Sequence, residues 1–303
     1  MENLFLRFKS FLLIAAVLAG FIPGFHLPAN VVYTKDEAAS YTEAAKTACG
    51  KGMVVLIGGG FDTQRDFSPL IELCIKHANR EKPRMLFIPT AHYDNLEERE
   101  NIVEWFAEAG CETEILLVSK STAEEAREKI GRADIIYETG GNLRFLAENW
   151  REKGVFEAVR SAFDRGAALI GVSSGAMCWA RRGWDDFGEE TVRVIGSFPF
   201  IGRAGSFQFQ DCADLIPFCV CPHFDNTGWR MFSYEAIRLD IPSLAIENGA
   251  AVVFENGAYS VVSDRATPLR TAYLFCPERG IALRDLKTNA DLAAAIDGEF
   301  RGR

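Results

Sequence analysis

The stretch Gly171–Ala176 carries the strongest chemical signal in the chain, because it places Ser173 in the pattern Gly-x-Ser-x-Gly. An apolar run, 167–171, precedes the motif and predicts a strand, and a helical stretch begins at Ala176. Glycines at both ends let the backbone turn sharply enough to raise the serine above the sheet, and the amide of Ser174 is then free to meet a reacting oxygen. We predict a nucleophilic Ser173; a glycine-serine turn without activity is the alternative.

A serine nucleophile needs a general base, and the chain has four histidines. His223 is the favoured candidate, because the apolar segment Cys219–Pro222 predicts a strand that delivers this imidazole at its carboxyl end. His26 lies in an amino-terminal extension, His77 on a predicted helix, and His92 just past another predicted strand. A purely structural histidine at 223 is the alternative.

A third group, a carboxylate that orients the imidazole, has two candidate positions. Glu247 ends the predicted strand 243–246 and opens the turn Asn248–Gly249. Asp185 and Asp186 follow the helical stretch after the serine. Spacing and composition leave both positions open.

A second oxyanion donor is predicted in the turn Gly140–Asn142, which follows the apolar segment 134–139. Two glycines at the carboxyl end of a strand bring backbone amides close to whatever occupies the cleft. A plain glycine turn is the alternative. The other glycine run, Gly58–Gly60, has neither the spacing of a dinucleotide fingerprint nor the lysine of a phosphate loop, so it predicts no nucleotide site.

These residues need a framework, and the chain from Met53 onward alternates apolar strands with helical patterns. Apolar strands separated by helices predict an α/β fold with a mostly parallel sheet that is covered by helices on both faces. Functional groups in such a sheet gather at the carboxyl ends of the strands. The predicted strands are 53–57, 84–89, 113–118, 133–137 and 167–172, then 192–195, 219–221, 243–246, 251–254 and 259–262, with a helix near 229–239.

Composition excludes several other classes of protein. The 303 residues carry 33 basic and 42 acidic side chains, a net charge of -9, which disfavours nucleic acid as a partner. Eight scattered cysteines without a paired metal-ligand spacing predict buried free thiols, and not a zinc site or a disulfide framework.

The amino-terminal region is predicted to be an extension, residues 1–50, ahead of one α/β hydrolytic domain at 51–303. Its apolar segment within 1–24 is too short to span a bilayer, so we expect no stable membrane anchoring. The cysteine content favours a cytoplasmic location. The alternative is export, with residues 1–19 as a signal peptide.

Taken together, several blocks resemble the peptidase E family of serine-type aspartyl dipeptidases. The blocks are Leu56–Gly60, Ile88–Ala91, Gly140–Asn142, Gly171–Ala176, Pro222–Phe224 and Ala245–Ala250. The resemblance implies a three-layer sandwich similar to flavodoxin-like folds and class I glutamine amidotransferases. It also implies a triad of Ser173, His223 and Glu247, with the amides of Gly141 and Ser174 as the oxyanion hole.

The resemblance further implies a substrate class, a short peptide and in particular a dipeptide with an amino-terminal aspartate. Arg230 resembles the arginine of the family that holds a substrate carboxylate, and Asn142 is expected to line the substrate site. No metal or organic cofactor is implied, and a homo-oligomer is left open. The family usually has alanine and threonine where this chain has Ser174 and Leu143; Ser174 keeps its amide as a donor, while Leu143 removes a hydroxyl near the cleft.

Other functions are also considered. A cyanophycinase-like isopeptidase is an alternative within the same group of enzymes, although Asn142 and Leu143 favour the dipeptidase branch. A catalytically silent member that binds a peptide or metabolite is a further alternative. An esterase of the α/β-hydrolase type would need a late histidine, and a glutamine amidotransferase would need a cysteine at 173.

Overall fold

The structure, a computed structural model, describes residues 51–96, 100–186, 207–256, 258–276 and 279–283. These residues form thirteen strands in two sheets, with helices between the early strands. The predicted extension 1–50 and the predicted strand 192–195 lie outside the described residues. Within the described part, no helix has the length and apolarity needed to cross a membrane.

The larger sheet has seven strands and a parallel centre. Its order is β11-β10-β1-β5-β4-β2-β3. Strands β1, β5, β4, β2 and β3 are mutually parallel, so their carboxyl ends share one edge. On the far side, β10 pairs antiparallel with β1, and β11 pairs antiparallel with β10. The strands are β1 (Met53–Ile57), β2 (Arg84–Ile88), β3 (Glu112–Ile115), β4 (Ile135–Glu138), β5 (Ala168–Val172), β10 (Ala250–Glu255) and β11 (Ala258–Ser263).

Helices cover both faces of this sheet, as the alternation of β1 shows. Val54 and Leu56 pack into one buried cluster, and Val55 and Ile57 into the other. The first cluster includes residues of α3, α4 and α5, the second residues of α1 and α2. The helices are α1 (Gln64–Ala78), α2 (Glu100–Glu108), α3 (Ala123–Arg132), α4 (Leu143–Lys153), α5 (Val155–Arg165), α6 (Ser174–Met177) and α7 (Phe232–Ala236), with 3₁₀ turns at Thr90–His92, Val118–Lys120 and Trp229–Met231.

Side-chain caps fix where the helices begin. Thr63 and Thr122 accept hydrogen bonds from backbone amides in the first turns of α1 and α3, and Asn142 does the same for α4. Such caps satisfy amides that have no partner within the helix. The cap at Asn142 holds the turn after β4 against the start of α4.

A second sheet of six strands was not predicted. Its order is β13-β12-β9-β8-β6-β7, with β6, β8 and β9 parallel and the outer strands antiparallel. The helical stretch predicted after Ser173 is only α6, and the chain then enters β6. Its strands are β6 (Ala180–Asp185), β7 (Gln208–Asp211), β8 (Ile216–Cys221), β9 (Ser243–Ile246), β12 (Ala272–Cys276) and β13 (Arg279–Leu283).

The predicted α/β class, with a mostly parallel sheet covered by helices on both faces, is therefore confirmed, and the structure adds the second sheet. Apolar runs such as Ser243–Ile246 were recognised as strands, but a run does not reveal which neighbour it pairs with. The antiparallel pairing of β9 with β12 involves a segment that was not predicted as a strand.

Candidate active site

Ser173 stands on a sharp turn between β5 and α6. Its backbone has φ 56° and ψ -117°, a conformation that a residue with a side chain adopts only when the surroundings hold it there. Its amide donates to the carbonyl oxygen of Ile57 at the end of β1, 3.0 Å away. A Cβ on Gly171 would lie 2.2 Å from the Gly175 carbonyl oxygen, so the glycines of the motif are required by close approach.

His223 lies directly beside this serine. Its Nε2 is 2.8 Å from Ser173 Oγ. The histidine follows β8, and its amide donates to the carbonyl oxygen of Gly58, which ties the base to the end of β1. The ring of Trp229 packs against the imidazole, with the centroids 5.3 Å apart. The structure thus brings together the predicted nucleophile and base, 50 residues apart in the chain.

The other imidazole nitrogen contacts an amide instead of a carboxylate. His223 Nδ1 is 2.7 Å from Asn248 Oδ1. An amide oxygen only accepts hydrogen bonds, so Nδ1 must carry the proton and Nε2 of the neutral ring is left to accept from the Ser173 hydroxyl. This is the tautomer that a general base for Ser173 requires.

Asp225 fixes the orientation of that amide. Asn248 donates to Asp225 Oδ1 from both its backbone nitrogen and Nδ2, each over 2.8 Å. Because a carboxylate only accepts, Nδ2 must face Asp225 and Oδ1 must face His223. Arg270 lies 3.1 Å from the second oxygen of Asp225. The ion pair of Asp225 and Arg270 therefore contacts the Asn248 amide at its nitrogen, whereas His223 contacts the amide oxygen.

Glu247 does not occupy the predicted position on the imidazole. Its Oε2 accepts from the backbone amide of Thr271 and its Oε1 from the hydroxyl of Tyr273, over 3.1 and 3.3 Å. Glu247 and Asn248 begin a tight turn that is closed by the bond from the Ala250 amide to the Glu247 carbonyl oxygen over 3.1 Å. The two side chains leave this turn in different directions, that of Glu247 toward β12 and that of Asn248 toward His223. The assignment of Glu247 as the group on the ring is corrected to Asn248.

The competing acids are not on the ring either. Asp185 is buried at the end of β6. Both imidazole nitrogens are occupied by Ser173 and Asn248, so neither Asp185 nor Asp186 takes the orienting position.

Gly59 leaves the space in which His223 and Asn248 meet. A Cβ built on this residue, whose φ is 146°, would lie 2.0 Å from Asn248 Oδ1 and 2.8 Å from His223 Nδ1. Gly59 also accepts at its carbonyl from the amide of Gly249 over 2.7 Å. The glycine run at β1 thus serves the histidine and its partner, a role that the sequence pattern did not reveal.

The two predicted oxyanion donors lie on neighbouring turns. Gly141 follows β4 with φ 141°, and a Cβ there would lie 2.2 Å from the carbonyl oxygen of Ala91. Gly140 is close to the nucleophile, since a Cβ on it would lie 3.1 Å from that of Ser173. The hydroxyl of Ser174 donates to the Gly141 carbonyl oxygen over 2.7 Å and so ties the two donor residues together.

Asn142, predicted to contact substrate, uses its side chain within the protein. Its Oδ1 accepts from the amide of Phe145 over 2.8 Å, and its Nδ2 donates to the hydroxyl of Tyr93 over 2.9 Å. Its backbone amide donates to the carbonyl oxygen of Ala91. Asn142 therefore links the turn that follows β4 to the turn that follows β2 through hydrogen bonds.

Glu138 supports the same turns from beneath. Its Oε1 accepts from the amide of Ala91 over 2.9 Å. The side chain is fully buried, and this burial raises the pKa of the Glu138 carboxyl well above its usual range. A buried carboxyl group whose ionisation is disfavoured therefore lies beneath the predicted oxyanion loop.

Arg230 lies in the 3₁₀ turn next to Trp229. It is exposed, and its backbone amide donates to the carbonyl oxygen of Asn226. No side-chain contact between Arg230 and the Ser173–His223 pair is found among the described residues. Its predicted role toward a substrate carboxylate stays a prediction.

The thiols of the described region have no part in this site. The free cysteines are buried or, for Cys212, half-buried, and burial raises the pKa of Cys111 to about 11. A thiol with a raised pKa is a poor nucleophile at neutral pH. Over the described ranges, no group of three or more histidine, cysteine or acidic side chains could hold a metal ion.

The fold and this serine-histidine pair define a hydrolase-like site at the carboxyl edge of an α/β sheet, and comparison with known proteins places it. Residues 53–262 match the model of peptidase family S51. The chain belongs to this family, and the predicted resemblance is confirmed.

One relative extends over most of the chain, and another matches about a third of it. The chain is 28% identical to the "Uncharacterized peptidase YgaJ" of Bacillus subtilis over 220 residues, which cover 71% of this chain and 89% of that protein. A shorter match, 33% over 97 residues, joins it to "Peptidase E" of Salmonella newport, covering 32% of this chain and 37% of the other.

A solved structure confirms the fold. A crystal structure of a peptidase from an acI-B1 Actinobacterium superposes with a TM-score of 0.55 at 19% identity, covering 77% of this chain and 97% of the other. At this identity the likeness supports the architecture alone. The family match thus identifies the chain as a member of a peptidase family, and the solved structure confirms its fold.

Sequence reasoning missed three residues of the site, namely Gly59, Asp225 and Asn248. Each lay in a segment already noted as a glycine run, a polar loop or a turn. Asn248 is next to the acid that was expected, and an asparagine at a strand end is a signal for a side chain that bonds to neighbouring loops.

Proposed function

We propose that this protein is a serine peptidase that cleaves short peptides through an acyl-enzyme. The observation that carries the proposal is the 2.8 Å contact between Ser173 Oγ and His223 Nε2, with Nδ1 of the same ring held by Asn248. A hydroxyl on a strained turn beside a correctly protonated imidazole is the arrangement that nucleophilic catalysis needs.

The reaction follows from the positions of these groups. Ser173 Oγ attacks the scissile carbonyl carbon while His223 Nε2 takes its proton, and the carbonyl electron pair moves onto the oxygen. The amides of Gly141 and Ser174 donate to that oxyanion. His223 then gives the proton to the leaving amine, the carbon-nitrogen bond breaks, and water attacks the acyl-enzyme with the same histidine as base.

Asn248 and Asp225 divide a role that one carboxylate has in other serine hydrolases. Asn248 sets the tautomer, and Asp225 sets Asn248. The side chain of Asn248 thereby separates the negative charge of Asp225 from the imidazolium that forms on His223 during the reaction. The imidazolium is stabilised less than it would be by direct contact with a carboxylate.

The dipeptidase part of the proposal concerns the free carboxylate of a short substrate. Arg230 follows Trp229, whose ring packs on His223, and the leaving residue must lie beside the histidine that protonates it. Arg230 could pair with the carboxylate of a leaving amino acid, since a guanidinium binds carboxylates in a bidentate way. The preference for an amino-terminal aspartate stays a prediction from the resemblance.

The first experiment tests the nucleophile. A fluorophosphonate probe should label Ser173, and Ser173→Ala should lose labelling and about 10,000-fold or more in peptide hydrolysis. Ser161→Ala, which alters an exposed serine on α5, is the matched control and should retain both. Undiminished hydrolysis by Ser173→Ala would refute the mechanism, and absence of labelling and turnover in the unmodified protein would favour a silent binding member.

The second experiment tests the substrate. With Asp-Leu, Asn-Leu and Ala-Leu, an aspartyl preference predicts the fastest cleavage of Asp-Leu, by about ten- to a hundred-fold in kcat/KM for one charge-assisted contact. Arg230→Met should abolish that preference if Arg230 binds the aspartate, or slow all three dipeptides alike if it binds the leaving carboxylate. Equal rates on the three substrates would remove the aspartyl assignment and leave the peptidase intact.

A further inference from the structure

Tyr93 is an exposed aromatic residue that is held in place at both ends of its side chain. It leaves 58% of its surface open to solvent. Its hydroxyl accepts from Asn142 Nδ2 over 2.9 Å, and its ring packs against that of Phe145 with the centroids 4.8 Å apart. Both partners are neutral. An open, uncharged aromatic surface is therefore fixed before any ligand arrives.

The backbone also holds this residue. Tyr93 has φ 57° and ψ 31°, in the left-handed region, and its amide donates to the carbonyl oxygen of Thr90 over 3.0 Å. The next residue, Asp94, is left-handed too and is buried. Bulky residues avoid this conformation unless the fold imposes it, and such strain is concentrated at functional sites.

The sheet order gives the position of Tyr93 relative to the catalytic pair. Along the carboxyl edge the strands run β1, β5, β4 and β2. His223 is bound to the end of β1, Ser173 follows β5, Gly141 follows β4, and Tyr93 follows β2. Tyr93 therefore lies on the side of Ser173 opposite to His223, beyond the predicted oxyanion loop.

The proposed chemistry makes these two sides different for a substrate. His223 must protonate the leaving amine, so the leaving residue belongs on the histidine side. The residue that stays on the serine as the acyl group then extends toward Gly141 and Tyr93. The side chain of the acyl residue is the part of a short peptide that can reach the aromatic surface.

We infer that Tyr93, supported by Phe145, forms a subsite for an apolar or aromatic side chain of the acyl residue. This inference rests on the proposed peptidase activity. It assigns an apolar or aromatic residue to the substrate position for which the family resemblance predicts aspartate. An aromatic ring packs on apolar groups without a charged partner, whereas a carboxylate would meet no cation from Tyr93, Asn142 or Phe145.

The experiment compares dipeptides that share one leaving residue, Phe-Leu, Leu-Leu, Ala-Leu and Asp-Leu. We expect the unmodified protein to favour Phe-Leu over Ala-Leu by about 3- to 10-fold in kcat/KM, the range for one aromatic contact. Tyr93→Ala should reduce that ratio to near one, in addition to any loss that all four dipeptides share because the bond to Asn142 is removed. Tyr93→Phe, which keeps the ring and loses the hydroxyl, should retain the ratio.

A control and a binding measurement separate this inference from the peptidase proposal. Leu269→Ala removes another exposed apolar side chain, 89% open to solvent, and should leave the ratio unchanged. In Ser173→Ala protein, which needs no turnover, calorimetry should show tighter binding of Phe-Leu than of Ala-Leu, and Tyr93→Ala should remove the difference. This arm supports the subsite even if the unmodified protein hydrolyses nothing.

Three results would overturn the inference. One is a Tyr93→Ala protein that loses the same factor on every dipeptide, which would mean that Tyr93 only supports Asn142 and its loop. Another is an unchanged ratio in both the kinetic and the binding measurement. The third is a Tyr93→Ala protein with altered mass by light scattering and unaltered selectivity, which would make this surface a contact between copies of the chain.

Discussion

The two sides of Ser173 are constructed by different means. On the histidine side, Asn248 orients His223, and the ion pair of Asp225 with Arg270 stands behind it. On the oxyanion side the turns are joined by neutral hydrogen-bonding groups, a serine hydroxyl on a carbonyl oxygen and an asparagine between two turns, above the buried carboxyl group of Glu138.

The difference follows from what each side must do. The histidine gains a proton during the reaction, so a nearby negative charge stabilises the state that forms. The oxyanion develops negative charge, and an ionised carboxylate beneath its donors would oppose it. Glu138 holds the amide of Ala91 there, and burial raises the pKa of its carboxyl well above the usual range, which disfavours a negative charge at this place.

The largest expected effect distinguishes Asn248 from Glu247. Asn248→Ala should lower kcat by about 100- to 10,000-fold, because the imidazole loses the group that fixes its tautomer. Glu247→Gln should lower kcat by less than about ten-fold, since its carboxylate contacts Thr271 and Tyr273 and not the ring. Steady-state kinetics with thermal melting separates an effect on the reaction from an effect on folding.

The Glu247→Gln variant also provides the result that would contradict the role assigned to Asn248. Were Glu247→Gln the slower variant, with normal melting and Asn248→Ala close to the unmodified rate, the triad expected from the resemblance would be restored. The Asn248 side chain would then have a structural role only and would not be needed for the reaction.

The next effect concerns the charge behind the amide. Asp225→Asn replaces a carboxylate, which can only accept, by an amide that can also donate, so Asn248 Nδ2 is no longer forced away from His223, and it removes the charge that pairs with Arg270. We expect kcat to fall by about ten- to a hundred-fold, the range for a charge-assisted hydrogen bond.

The control for Asp225 is another aspartate-arginine pair outside the site. Asp211 is bonded to Arg182 over 3.0 Å, with a side chain 73% exposed. Asp211→Asn should change kcat by less than about two-fold, because exposed pairs contribute little. If both variants behaved alike in kinetics and in melting, the ion pair of Asp225 would have no role in the reaction.

The smallest expected effect is on the oxyanion side. Ser174→Ala removes the hydroxyl that holds Gly141, and we expect kcat to fall by about two- to ten-fold, the range for one neutral hydrogen bond. Ser121→Ala loses a similar bond, from a buried serine to the carbonyl oxygen of Val118, and should leave kcat unchanged. Loss of 100-fold or more in Ser174→Ala would show that the neutral side is as sensitive as the charged one.

Much of the framework could be predicted from local pattern. The strands 53–57 and 243–246 were placed at their observed bounds, and the turn at Ser173 follows from glycines that alone allow its close approaches. These features depend on residues near one another in the chain. The second sheet could not be predicted in this way, because β12 is defined by its pairing with β9.

The sequence by itself determined the candidate nucleophile, the candidate base and the α/β class, since each rests on residue types within a short segment. Only the tertiary structure decided which residue faces the imidazole. Glu247 and Asn248 are adjacent, and the direction of each side chain depends on how β9 lies against β12 and against His223. Gly59 shows the same dependence, because the space that it leaves has meaning only once β1, β8 and the turn after β9 have come together.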